Sequence, residues 1–173
     1  MPDHDSLENL EELQLGKLKA LLKEISTGND FYRHKLNGAG FDLQELEGFQ
    51  DLKELLERLP FTSKEELQED QAEHPPYGSN LTFEPGRYTR VHRTSGTTGK
   101  PVYWLDTPES WQWFIDCWKK VYTGSGILQE DRIFFPFSFG PFIGFWGAFE
   151  AGLQLGSFCL SGGGLSSAAR LEY

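Results

Sequence analysis

Leucines set the first rhythm of this chain. Leu7, Leu10, Leu13, Leu18, Leu21, Leu22 and Ile25 recur at helical spacing with charged residues between them, and Thr27-Gly28 closes the run. The pattern predicts an amphipathic first helix. In "NDFYRHKL" Asn29 is read as the N-cap of a second helix, with Gly38 beyond its end, and Asp42 and Asp51 open two more short helical turns. "LPFTSKEEL" carries a capping box, with Thr62 or Ser63 as N-cap and Glu65 or Glu66 three residues on. Helices dominate to about Gln71. The segment from His74 to Gly86 has two prolines in a row and no period, so it is read as a surface loop.

Beyond residue 86 the pattern changes. "RYTRVHRT" alternates Tyr88, Arg90 and His92 with Thr89, Val91 and Arg93, and "PVYWL" is β-branched and aromatic. These two stretches predict strands joined by the loop between them. Thr107-Pro108-Glu109 starts a helix with Trp111, Phe114, Ile115, Trp118 and Tyr122 on one face. Gly124-Ser125-Gly126 is its C-cap, since the glycine-serine-glycine run lacks the longer form of a nucleophile elbow. "DRIFFPF" is read as a buried strand. Gly144, Gly147 and Gly152 lie among aromatics at near-helical spacing, which predicts a helix packed closely against a neighbour. "SFCLSGGG" is a further strand, and Ser166 or Ser167 begins another helix. Strand, helix, strand, helix, strand is the order of a parallel α/β layer.

The fold class expected is therefore α/β: a helical N-terminal layer at 1–86, then at 87–173 part of a mixed or parallel sheet flanked by helices. Charge follows the same division. Residues 1–86 hold 19 acidic and 8 basic side chains with 7 aromatics; residues 87–173 hold 7 acidic and 8 basic with 18 aromatics. The first part reads as a solvated helical layer, and its acidic runs such as Glu65-Glu66 and Glu69-Asp70 as an exposed helix face. The second can bury a core and host a ligand. A net charge of -10 argues against a nucleic-acid partner, which needs a basic surface. No apolar run is long enough to span a membrane, and the acidic N-terminus is unlike a secretory signal, so the expected compartment is the cytoplasm. Cys117 and Cys159 are far apart and read as small buried side chains.

The chemistry concentrates in "VHRTSGTTGKP". Glycines and hydroxyls in a tight turn expose backbone N–H groups in a concave nest, a geometry suited to phosphate oxygens. This is not a P-loop. Thr94 stands where that motif needs glycine, and Pro101 follows Lys100 where it needs Ser or Thr, which disfavours a P-loop phosphotransferase.

"TSGTTGKP" resembles the phosphate-binding signature of the adenylate-forming superfamily. "NDFYRHKLNGAGF", "LKELLERLPFTSKEEL", "YTRVHRTSGTTGKP" and "FSFGPFIGFWGAFEAGLQLGSFCLSGGG" are similar, in this order, to segments of its phenylacetate-CoA ligase branch. The resemblance covers roughly residues 25–173. It implies an ATP-dependent acid-CoA ligase that uses Mg2+ and coenzyme A, with a small-molecule carboxylic acid as partner. It assigns Thr94, Ser95, Gly96, Thr97, Thr98, Gly99 and Lys100 to the triphosphate, with Lys100 either reaching the phosphates or pointing to solvent. It places the acyl pocket from Phe137 to Phe149, where Phe137, Phe139, Phe142, Phe145 and Trp146 offer an aromatic wall and Gly140 and Gly144 make room. An aromatic stripe is also ordinary core, and one or two of the five rings are expected to touch substrate. For His92 a phosphate- or carboxylate-facing role stands beside the simpler reading of a structural hydrogen bond.

The family's adenine-site motif, ribose-binding aspartate and C-terminal domain have no counterpart before Tyr173. The chain is therefore expected to be the N-terminal portion of a ligase, weakly active or inactive alone. A non-catalytic nucleotide-binding or interaction module stays open, as does a coenzyme F390 synthetase-like or acyl-protein synthetase-like enzyme. Its aromatic surface is expected to favour association.

Overall fold

The computed structural model describes residues 4–95 and 100–173, with side chains described from residue 10 onward. The chain divides into two compact units, Met1–Pro85 and Gly86–Tyr173.

The first unit is helical. Helix α1 spans His4–Gly28, α2 Asp30–Gly38, α3 Leu52–Arg58 and α4 Lys64–Glu73, with a 3-10 turn at Leu43–Gly48. The predicted caps hold: Asn29, Asp42, Asp51 and Ser63 each accept a hydrogen bond from a backbone N–H in the first turn they open. Ser63 and Glu66 complete the capping box in both directions, as the spacing requires. The leucine stripe of α1 turns inward through Leu15 and Leu22, which pack with Leu36, Phe41, Leu46, Phe49 and Leu55. Gly38 is the last residue of α2 rather than a stop beyond it, because Ala39 serves as the C-cap.

One expectation about the acidic runs is overturned. Asp70 is buried, not part of a solvated face. Its carboxylate accepts the Ser79 backbone N–H at 2.8 Å and the Ser79 hydroxyl at 2.5 Å, and the exposed His74 ring lies 3.2 Å away. The loop after α4 folds back onto this carboxylate. Gly78 makes the return possible, because its φ of +86° is left-handed and any Cβ there would run into the Asp70 carboxylate.

The second unit is α/β. Strands β1 (Arg90–Arg93) and β2 (Tyr103–Asp106) form an antiparallel hairpin, pairing Arg90 with Asp106 and Arg93 with Tyr103. Helix α5 (Pro108–Gly124) begins at the Thr107 N-cap and ends at Ser125, followed by Gly126 in left-handed conformation. Strand β3 (Arg132–Phe135), helix α6 (Ile143–Leu155) and strand β4 (Phe158–Ser161) make one β–α–β unit, with β3 and β4 parallel and Phe134 opposite Leu160. Helix α7 (Ser167–Glu172) closes the chain, capped by Ser166. Among the described residues parallel pairing is confined to β3 and β4, and β2 pairs back onto β1 instead.

The core of this unit lies between α5, α6 and one face of the β3–β4 pair. Trp111, Ile115 and Tyr122 of α5 meet Ala148 and Ala151 of α6 and Phe135 of β3. The glycines of α6 explain the close approach. A Cβ on Gly147 would overlap the Phe114 ring, and one on Gly152 would sit 2.7 Å from Cys159 Sγ. The "DRIFFPF" strand is buried on one side only. Period-2 alternation turns Ile133 and Phe135 toward the core, while Phe134 and, across the sheet, Phe158 stay exposed. Cys117 and Cys159 are half-buried free thiols rather than fully buried ones. No helix among the described residues is long and apolar enough to cross a membrane.

Candidate functional site

The hairpin narrows to a neck just before the glycine-rich loop. Past the Arg93–Tyr103 pair, Thr94 N–H donates to the Val102 carbonyl at 3.0 Å, and Val102 N–H donates to Thr94 Oγ1 at 2.9 Å. These two bonds anchor both stems, with Val102 buried beneath them. Thr94, Ser95 and Lys100 of the proposed triphosphate set are thus at the mouth of the hairpin, Ser95 and Lys100 exposed and Thr94 half-buried. The Thr94 oxygen accepts one hydrogen bond from the neck, and its hydroxyl proton remains to be offered to an anion. Gly96, Thr97, Thr98 and Gly99 lie outside the described residues.

Among the described residues a single backbone bond joins this neck to the aromatic segment. Arg93 N–H donates to the Pro141 carbonyl at 3.0 Å. Pro141 sits in the turn that enters α6, and Gly140 gives the turn its left-handed step with φ +53°. Trp146 Nε1 donates to the Gly140 carbonyl at 2.7 Å and pins the same turn from the helix side.

The five aromatic candidates separate into two groups. Phe137 and Phe139 pack into the core with Phe135 and Phe149, the Phe139–Phe149 pair edge-on at 5.2 Å. Phe142 and Trp146 are exposed, and Phe145 is half-buried, 4.2 Å from the Phe137 ring centroid. Gly144 faces open space where a Cβ would meet nothing within 4 Å, whereas a Cβ on Gly140 would touch the Phe142 ring at 3.5 Å. Phe142, Gly144, Phe145 and Trp146 therefore offer the accessible apolar surface beside the hairpin neck, and Phe137 and Phe139 pack behind it.

Below the neck lies a polar cluster that the sequence pattern reveals only in part. Arg90 Nη1 and Nη2 reach the two carboxylate oxygens of Glu150 at 2.9 Å each, and Trp111 Nε1 donates to Glu150 Oε2 at 2.7 Å. The Arg90 guanidinium lies 4.4 Å from the Trp111 ring centroid. His92, two residues along the same strand face, stacks on Trp111 at 5.1 Å and 19°. The expectation of a structural hydrogen bond at His92 fails at Nδ1, a buried atom with no hydrogen-bond partner among the described residues. Asp106 Oδ2 is 3.5 Å away, at the limit of bonding distance, so its interaction with the ring is mainly one of charge. Burial pushes the His92 pKa below its ordinary value of 6.5, partly offset by Asp106, with smaller opposed effects of Arg90 and Glu150. His92 is thus held as a neutral ring.

Alternation already set Arg90 and His92 on one face of β1. The missing signal was Glu150, the one charged residue in the apolar sequence of α6, which has to find a cation or stay in water.

In the first unit a cleft of about 420 Å³ is lined in part by Glu66, Glu69, Asp70 and Glu73, whose charge opposes an anion, with Lys35 already paired to Glu66. No group of three or more His, Cys, Asp or Glu side chains able to hold a metal occurs among the described residues.

No protein-family model matches the chain. Over 172 residues it is 28% identical to the phenylacetate-coenzyme A ligase of Escherichia coli, covering 96% of this chain and 36% of that protein. Its identity to the enzyme of the same name from Thermus thermophilus is 31% over 137 residues, covering 79% of this chain and 29% of that protein. Among solved structures, 2-hydroxyisobutyryl-CoA ligase in complex with 2-HIB-AMP and CoA in the thioesterification state superposes with a TM-score of 0.84 at 28% identity, covering 99% of this chain and 35% of that one. An open conformation of the same ligase gives 0.81 at 28% identity, covering 93% of this chain and 36% of that one. The chain spans about a third of the length of the relatives it matches.

Proposed function

We propose that this chain, a relative of the phenylacetate-coenzyme A ligases along about a third of their length, is the phosphate-gripping and acid-facing part of an AMP-forming acid-CoA ligase. In the reaction a carboxylate oxygen attacks the α-phosphorus of ATP and pyrophosphate leaves. The thiolate of coenzyme A then attacks the acyl carbon of the adenylate, and AMP leaves with its oxygen.

Within that scheme Thr94, Ser95, Gly96, Thr97, Thr98 and Gly99 offer hydroxyl and backbone donors to the β- and γ-phosphates, and Lys100 adds a cation at the mouth. Their part is to hold the leaving pyrophosphate in line, a task in which electrostatic fit and orientation supply most of the acceleration. Magnesium bound with the nucleotide would share that charge. Phe142 and Phe145 take the apolar body of the acid beside the open side of Gly144, while Phe137, Phe139 and Gly140 hold that wall in shape. The aromatic lining suits an aryl acid such as phenylacetate.

The observation that carries this reading is the Arg93–Pro141 hydrogen bond, which puts the stem of the phosphate loop against the turn that presents the acid-facing rings. An adenylating enzyme needs these two sites adjacent because the acid and the α-phosphate must meet. The test is acid-dependent exchange of labelled pyrophosphate into ATP by the whole natural polypeptide, over phenylacetate, benzoate and 2-hydroxyisobutyrate. Exchange with an aryl acid is expected. Nucleotide binding with no exchange for any acid would support a binding module instead.

A further inference from the structure

Strand β1 is tied to the α6 segment at two points. Near the loop the tie is Arg93 N–H to the Pro141 carbonyl, and at the far end it is the two-pronged Arg90–Glu150 ion pair. Three residues of strand separate Arg90 from Arg93, about 10 Å. On the other side nine residues lead from Pro141 to Glu150, the last seven of these steps along helix α6 from Ile143. With β1 already paired to β2 and His92 stacked on Trp111, the two ties together set the angle of the strand against the α6 segment as well as its place. The second tie is the stronger. Its carboxylate receives two bonds from Arg90 and a third from Trp111, with the guanidinium stacked on the same indole. Glu150 thereby joins β1, α5 and α6 through one side chain.

Resting on the ligase reading above, we propose that Glu150 is a positioning residue for adenylation: through Arg90 and Trp111 it sets the angle of the strand that carries the phosphate loop against the segment that holds the acid. Glu150 touches neither reactant. Its effect falls on in-line attack, where an error of about 1 Å costs on the order of a hundredfold in rate. Coenzyme A attack on the finished adenylate needs no aligned pyrophosphate and is spared.

The experiment compares the two half-reactions in the whole natural polypeptide. Glu150→Gln keeps the shape but turns an amide N–H2 or a single acceptor toward Arg90, so the two-pronged tie is lost. The expected result is a 10- to 100-fold fall in kcat for acid-dependent pyrophosphate exchange, with KM for ATP within about threefold and thioester formation from supplied acyl-adenylate within about twofold. Arg90→Lys, which keeps the charge but not the fork, is expected to show the same selective loss, and the double variant to be no worse than either single one. Should Glu150→Gln lower the folded fraction, Arg90→Lys carries the comparison alone. A parallel fall in both half-reactions, or unchanged exchange in both variants, overturns the proposal while the wild-type exchange leaves the ligase reading standing. Absence of exchange in the wild type overturns the ligase reading, and the proposal with it.

Discussion

The backbone N–H of Arg93 and the carbonyl of Pro141 meet at 3.0 Å, although 48 residues of chain separate them. Neither side chain takes part, so no substitution pattern would announce the contact. It comes from the topology: β1 ends at the glycine-rich loop, and the turn leaving β3 returns alongside it to start α6. A loop built for anions and a segment built for apolar groups thus share one backbone junction.

If the loop grips phosphate, its hydroxyls should matter to ATP and not to folding. Replacing Thr97 and Thr98 together by alanine is expected to lower acid-dependent pyrophosphate exchange about a hundredfold, the usual cost of removing transition-state donors. Thermal unfolding should stay within a few degrees of wild type. Wild-type exchange rates in the double variant would sink the phosphate assignment.

Gly147 and Gly144 lie one helical turn apart on α6 and make opposite demands. Helix propensity alone favours alanine over glycine by about 1 kcal/mol at either position. At Gly147 the added Cβ overlaps Phe114 and comes within 3.1 Å of Trp118, so overpacking of about 1–3 kcal/mol outweighs that gain. Gly147→Ala should therefore destabilise and Gly144→Ala should not, since its Cβ meets nothing within 4 Å. Denaturant midpoints decide it, and equal shifts for both would contradict the close α5–α6 contact.

The caps and stripes of the first unit were legible because they are local: a serine three residues before a glutamate, or leucines every third or fourth position, satisfy their own neighbours. The βαβ order of β3, α6 and β4 was legible for the same reason. Asp70 was not. Its burial depends on a loop that returns nine residues later to give it Ser79, and within the sequence it looks like any other acid in a charged helix. His92 was half legible and Glu150 was not. Alternation placed His92 on one face of β1 with Arg90, but the burial of its ring is a tertiary fact, as is the capture of Glu150 by Arg90 and Trp111. The pairing of β2 with β1 follows from the hairpin neck at Thr94 and Val102, which competes with the parallel order that strand-helix alternation suggests.

The second unit should lose stability in mild acid through His92. Its folded pKa is depressed by burial, so the unfolded chain binds the proton more tightly. Stability is fully present above the unfolded value of 6.5 and is lost as pH falls from there through the folded value. Arg90 adds to the depression, and Asp106 and Glu150 limit it without cancelling it. Melting of the wild type should drop between pH 7 and pH 5, and His92→Gln should reduce that slope. A slope unchanged by the substitution would place the acid sensitivity elsewhere.

A parallel pair of strands is normally covered on both faces, because the helices that connect such strands lie against the sheet. In the second unit α6 covers one face through Ile133, Phe135 and Cys159, while on the other Phe158 is 61% exposed and Phe134, 38% exposed, is partly covered by Tyr173. Burying a phenylalanine ring is worth about 1.5–3 kcal/mol, so two such rings on one sheet face make a sticky patch unless something lies over them. Expressed as these 173 residues, the protein should associate at high concentration, seen as a mass above 19.7 kDa in sedimentation that falls on dilution. Phe158→Lys should shift the equilibrium toward monomer by placing a charge where contact needs an apolar surface. The ring of Trp113 is as exposed as that of Phe158 but lies on α5, so Trp113→Lys serves as the control. If Trp113→Lys and not Phe158→Lys restores the monomer, association runs through the helix and the open sheet face is not its cause.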